Sequence, residues 1–378
     1  VRFESALKHE WLLGFSGATS LAFLLRGDKL LAGLGDPVWL TVIFLWLFSA
    51  VLGSALAVVR HAEHLAVRIG EPYGTLLLTL SVTFVEVSSI AAVMLHGANN
   101  PSLARDTLLA VVMIILNGMV GLSLLLGGWR HREQQYNLQG ANAYLAVIIP
   151  LVVLTLILPD FTQTTPGPTL SHAQEMLLML AGLGLYATFL IMQTGRHRGF
   201  FSLANDHEEG APGGGGAASR RPAPLSPRRP PLSHAALLVA YLLPVVFLAE
   251  QFAHPVDYLI ETLQAPAALG GVIIAVLVAT PEAIGAVRAA LANHLQRSVN
   301  IFLGSVLATI GLTVPAIIVV SRLTRHEIVL GVEHADLVML VLTLFLCVVT
   351  FSSGRTNVIQ GAVHVVLFAV YLALIVQA

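Results

Sequence analysis

The sequence predicts an all-α polytopic membrane protein of about 11 transmembrane helices, built as two inverted-topology repeats of five helices after a peripheral first helix. Three observations carry this. Of 378 residues, 56% are hydrophobic and only 11% charged, whereas a soluble domain carries about a quarter charged residues. The apolar residues fall in blocks near the ~20 residues a helix needs to cross about 30 Å of hydrocarbon. A segment in lipid must satisfy its own backbone, so such blocks are helices, and no short alternating strands suggest a barrel. Finally, the second half of the chain repeats features of the first in the same order.

The expected spans run over 11–25, 38–59, 75–96, 103–126, 141–158, 175–194, 235–253, 268–291, 299–321, 336–350 and 358–378, the first and tenth being the shortest. Residues 1–34 form an N-terminal segment with that weak first helix. The start, residues 1–10, has no basic leader, so the first span is expected to be retained. The first repeat covers 35–160 and continues into the sixth span. Residues 195–233 contain Gly213 to Gly216 and Pro222, Pro224, Pro227, Pro230 and Pro231; so little apolar residue cannot bury a core, and a disordered linker is expected. The second repeat covers 234–378.

Fifteen of the 20 basic residues fall on the side of the N-terminus and the linker, leaving Arg26, Lys29, Arg105, Arg322 and Arg325 opposite. The positive-inside rule therefore puts the N-terminus and the linker in the cytoplasm. Net charge is −1, which gives no basic surface for nucleic acid. The single cysteine, Cys347, excludes an intrachain disulfide framework.

The internal match aligns 75–94 with 271–290, setting Glu86 over Glu282, and 105–118 with 297–310, setting Met113 over Ser305 and Asn117 over Thr309. Gln139-Gly140-Ala141 recurs as Gln360-Gly361-Ala362. Five spans separate the starts of the two copies. An odd number inverts the second copy, the arrangement typical of alternating-access transporters.

Glu86 and Glu282 lie near the middle of their spans. An ionised carboxylate there costs at least about 2.5 kcal/mol on insertion scales, so each is expected to face the protein interior or water. Two such costs at equivalent positions point to use. Helical spacing puts Thr79, Thr83 and Ser89 on the face of Glu86, offering hydroxyl oxygens to a hard cation. The face of Glu282 is Ala275, Ala279, Gly285 and Ala289, which lets another helix approach. Pro281 is expected to break that helix and free the Leu277 carbonyl as a further oxygen. Asn117, Ser305 and Thr309 complete the candidate shell. Oxygen-only ligation suits Ca²⁺, Na⁺ or K⁺ rather than zinc or copper.

Each of these residues has a structural reading beside the functional one. A membrane glutamate can be a protonated helix-helix hydrogen-bonding group; Thr83, Asn117, Ser305 and Thr309 are equally compatible with packing, and Pro281 with a simple kink. His364, well inside a span, reads as a hydrogen-bonded packing residue. No His-Glu-x-x-His stretch or paired intramembrane aspartates support a membrane enzyme. A transporter is expected, with a cation channel or membrane scaffold as the alternatives that the inverted repeat disfavours.

Five stretches, 59–74, 80–88, 281–286, 296–315 and 351–361, together resemble the cation/calcium exchanger superfamily and, within it, the ChaA-type bacterial calcium/proton antiporters. The resemblance implies that the acid of each repeat is the cation ligand and also takes the countertransported proton, which maps onto Glu86 and Glu282. It implies eleven helices with a cytoplasmic linker after the sixth, in a bacterial inner membrane. Ca²⁺/H⁺ exchange is the expected activity, cation out and proton in; Na⁺ or K⁺/H⁺ exchange through the same site is the alternative. Lipid, the transported cations and protons are the expected partners, and no cofactor is expected. Many exchangers carry Gly-Asn shortly before each acid; here Val82-Thr83 and Val278-Ala279 stand there, which leaves ion selectivity open.

Overall fold

The computed structural model describes residues 10–96, 101–165, 167–203 and 231–377. Eleven long helices fill them: α1 (Trp11–Leu31), α2 (Pro37–Ile69), α3 (Tyr73–Met94), α4 (Leu103–His131), α5 (Leu138–Phe161), α6 (His172–Thr194), α7 (Pro231–Thr262), α8 (Ala267–Leu291), α9 (Leu295–Thr324), α10 (His334–Thr350) and α11 (Val358–Gln377). Among the described residues, nine of these are long and apolar enough to cross a membrane, all but α1 and α10. Those two are the shortest of the expected spans. α10 has only 17 residues, and α1 kinks at Arg26, just where its apolar run gives way to Arg26, Asp28 and Lys29.

Side-chain caps start several helices. Asp36 accepts from the Val38 and Trp39 amides at the head of α2, and Ser171 with Gln174 forms a capping box on α6. α2 runs 33 residues, past its apolar block, because nothing in its last turns breaks a helix before Gly70 at φ 77°. Arg60 on α2 and Tyr241 on α7 anchor the residue before α1: Glu10 accepts from Arg60 Nη2 at 2.6 Å and from the Tyr241 hydroxyl at 2.9 Å. Burial works against the Glu10 carboxylate, but Tyr241, Arg60 and His61 outweigh it and hold the group below its usual range.

α4 is the axis of the bundle. Of its most apolar stretch 89% is buried, against 22% for α6 and for α11, which lie at the periphery. α2 packs along α7, the first helix of the other repeat, and α8 packs on α4 and α9. Gly271 permits the second contact: a Cβ there would lie 2.6 Å from the Asp106 carbonyl carbon.

α4 and α9 share an irregularity. Each opens into a π turn at mid-length, Ile114–Met119 and Thr309–Thr313, and the two overlap in the register that sets Asn117 over Thr309. Single π turns inside α-helices are frequent at functional sites. The break expected at Pro281 is absent, and α8 is continuous from Ala267 to Leu291. Proline there deletes only the bond to the Leu277 carbonyl, and the turns on either side carry the helix through.

The Gln-Gly-Ala likeness has a different origin from the repeat. It opens α5, the fourth helix of the first copy, and α11, the fifth of the second. Two short strands precede these helices, β1 (Glu133–Gln135) and β2 (Arg355–Asn357), paired antiparallel. Asn137 and Asn357 each follow the ribbon and cap the next helix through Oδ1. The capping asparagine stands two residues before Gln139 but three before Gln360, so the shared residues are out of register with the caps. This ribbon marks one end of the bundle, here the ribbon end; the other is the far end.

The first part of the expected linker is folded. Arg198–Phe201 form a 3₁₀ turn, with the Phe201 ring against Tyr144 and Phe189 and the Phe201 carbonyl accepting from Asn300 at 2.8 Å. Aromatic burial and this bond explain why the chain does not leave the bundle at Gly195. At the other margin α7 already starts at Pro231. Residues 204–230 lie outside the described residues, as do residues 1–9.

Candidate ion site

α3 carries Glu86 and α8 carries Glu282 into the space beside α9, where a ladder of three hydroxyls, Ser305, Thr309 and Thr313, stands at four-residue intervals. Thr313 Oγ1 donates to Glu86 Oε2 at 2.7 Å, Ser305 Oγ donates to Glu282 Oε2, and Thr309 stands between them on the helix. Four residues of α-helix overshoot a full turn by about 40°. The π turn at Thr309–Thr313 is wider, so it offsets that drift and keeps Thr313 on the face of Ser305. One helix therefore serves the acids of both repeats.

The surroundings of the two acids differ. Glu86 is 4% exposed, and its Oε1 has no hydrogen-bond partner; neither has the hydroxyl of Thr83, one turn away. A buried acceptor without a donor costs about 1–3 kcal/mol, so this pair of oxygens suits a cation. Glu282 is half-buried. It lines a cavity of about 250 Å³ together with Ser305, Thr79, Gln193, Arg297 and Asn300. Every residue of that cavity lies in the ribbon-end half of its helix, so the cavity leads from Glu282 to the ribbon end.

Other candidates go elsewhere. Asn117 does not reach the acids: its Nδ2 donates to Thr343 at 2.8 Å, and its Oδ1 lies 3.2 Å from His364 Nδ1. His364 is fully buried, with its second nitrogen 3.0 Å from Thr350 Oγ1, which makes it the packing residue expected. The Ser89 hydroxyl bonds back to the Val85 carbonyl at 2.8 Å, a habit of serine within helices. The small-residue face of α8 is buried at Ala275, Ala279 and Ala289, and Leu277 is buried with its carbonyl deprived of the Pro281 donor. Thr313 was not foreseen; its sequence signal is the third hydroxyl of the series begun by Ser305 and Thr309.

Comparison with known proteins agrees with this architecture. The sodium/calcium exchanger protein family matches residues 39–195 and 233–377. The chain is 40% identical over 336 residues to the sodium-potassium/proton antiporter ChaA of Escherichia coli, covering 89% of each chain. It is 21% identical over 325 residues to the Ca²⁺/H⁺ antiporter ChaA of Bacillus subtilis, covering 85% of this chain and 88% of that one. The solved structure of native YfkE superposes with a TM-score of 0.72 at 17% identity, over 97% of this chain and all of the other, which shows a shared fold. On the family match and the 40% identity together, the chain belongs to the sodium/calcium exchanger protein family.

Proposed function

We propose that the chain is a secondary cation/proton antiporter in which Ca²⁺ and protons compete for Glu86 and Glu282. The observation that carries this reading is the ladder on α9, which gathers one acid from each inverted repeat onto a single helix. A carboxylate stripped of water is costly as an anion. It therefore holds a proton until a cation arrives to balance its charge, and the cation leaves when protons return. One set of carboxylates cannot hold both, and exclusive occupancy with alternating access is exchange.

Glu86 Oε1, Thr83 Oγ1 and the ladder hydroxyls would supply oxygens, with the Leu277 carbonyl as a further donor. Two carboxylates match the charge of a divalent ion. The second reading, Na⁺ or K⁺ against protons through the same residues, is favoured by the 40% identity to a sodium-potassium/proton antiporter. The excess of basic residues supports a cytoplasmic ribbon end, in a bacterial inner membrane, with cation moving out and protons in.

Purified protein in liposomes carrying a trapped pH dye tests this. Ca²⁺ added to the outside should drive proton movement that Na⁺ and K⁺ do not; proton movement with Na⁺ or K⁺ alone selects the second reading. A cation current without proton movement, or no response to any of the three, contradicts antiport.

A further inference from the structure

We propose that Arg105 is a latch that holds the far end of the protein shut, and that breaking its contact with Glu333 is a step in turning the ion site toward that end. Arg105 sits in the first turn of α4 and is 8% exposed. Its Nε donates to Asp106 Oδ1 at 2.7 Å, within its own helix. Its other two nitrogens cross to the second repeat, Nη1 to the Gly331 carbonyl and Nη2 to Glu333 Oε1, both at 3.3 Å.

Gly331 and Glu333 belong to the α9–α10 connection, which behaves as a strap. It has no regular secondary structure over residues 326–333 and is bonded to first-repeat backbone: Val329 donates to the Pro101 carbonyl at 2.9 Å, Val332 to that of Leu156 at 2.9 Å, and Gly331 to that of Pro168 at 3.4 Å. Ile328, Leu330 and Val332 are buried beneath it. Asp160 lines the same far-end cavity as Arg105 and Glu333, and Asp336 lies in the first turn of α10.

The counterpart of Arg105 in the internal alignment is Arg297, at the start of α9. The Arg297 side chain is exposed, lines the cavity and makes no hydrogen bond or ion pair among the described residues. The engaged arginine borders a far-end cavity of about 660 Å³ whose lining includes neither acid, whereas its unpaired counterpart lines the cavity that reaches Glu282. The latch is also built to release. The Glu333 side chain is 73% exposed, and ion pairs with so wet a partner are individually weak. Arg105 keeps Asp106 when Glu333 lets go, so the guanidinium is never left without a counter-charge.

The inference rests on the alternating-access reading, but its test does not need transport. In a Cys347→Ala background, Leu330→Cys places a thiol under the strap. Its reaction rate with a water-soluble maleimide should rise up to about fivefold on Glu333→Gln, and further on Arg105→Gln, with Arg105→Lys between them and wild type. A control thiol at Val51→Cys, buried in α2 away from the strap, should stay unreactive in the same variants. An unchanged rate at Leu330→Cys in folded Glu333→Gln protein overturns the latch. So does an equal rise at Val51→Cys, which would mean that the substitutions only loosen the fold.

Discussion

Glu86 and Glu282 occupy equivalent positions in two copies of one helix, yet the first is sealed in protein and the second borders a cavity. Both take a hydroxyl from α9, eight residues apart on it. Glu86 keeps an oxygen without a partner beside an equally unpartnered Thr83; Glu282 shares its surroundings with Gln193, Arg297 and Asn300 and a route to the ribbon end. The neighbours in sequence do not explain this, since Glu86 has the more polar helical face and is the drier of the two. What separates them is the cavity, which borders Glu282 on the ribbon-end side and does not border Glu86. In an inverted repeat the two environments are expected to exchange when access exchanges.

The largest effect expected concerns what the acids have in common. Glu86→Gln and Glu282→Gln should each reduce cation-driven proton movement in liposomes by about 100-fold or more, because neither amide can carry charge or proton; an acid whose loss leaves transport intact is not part of the site. The next concerns how they differ. With Cys347→Ala, a thiol from Glu282→Cys should react with aqueous maleimide about tenfold faster than one from Glu86→Cys, and equal rates would dissolve the contrast between wet and dry.

The hydroxyls sharpen it further. Thr313→Val removes the hydroxyl bonded to Glu86 in a place water does not reach, and apparent cation affinity should fall about tenfold. Ser305→Ala should cost only about threefold, since cavity water can take over its hydrogen bond. Smallest for transport, Asn117→Leu should leave cation preference unchanged while lowering stability by roughly 1–3 kcal/mol, read by thermal unfolding in detergent. The loss comes from the two hydrogen bonds Asn117 makes, to the Thr343 hydroxyl and to His364 Nδ1.

Most of the helical plan was legible because lipid imposes it: a block of apolar residues has few alternatives to a spanning helix. Glu86, Glu282, Ser305 and Thr309 were legible for a related reason, as polar groups placed at depth and in register need an explanation. Asn117 sits in the same register but pairs with residues 226 and 247 positions away, a distance no local pattern carries. Thr313 was hidden by the π turn, which shifts the helical face that regular spacing assigns to it. Pro281 misled in the opposite direction, since one missing hydrogen bond does not break a helix packed along its length. The Gln-Gly-Ala pair looked like repetition, yet it opens α5 and α11, which are not counterparts in the two copies.

The most direct test of the shared site is proton release on cation binding, measured with purified protein in weakly buffered detergent solution containing a pH dye. Adding saturating Ca²⁺, or Na⁺ or K⁺ if those are the substrates, should acidify the solution in wild type, less in each single glutamine variant, and not at all in Glu86→Gln/Glu282→Gln. Cation binding without acidification, or acidification that survives in the double variant, would contradict competition between the two ions for these carboxylates.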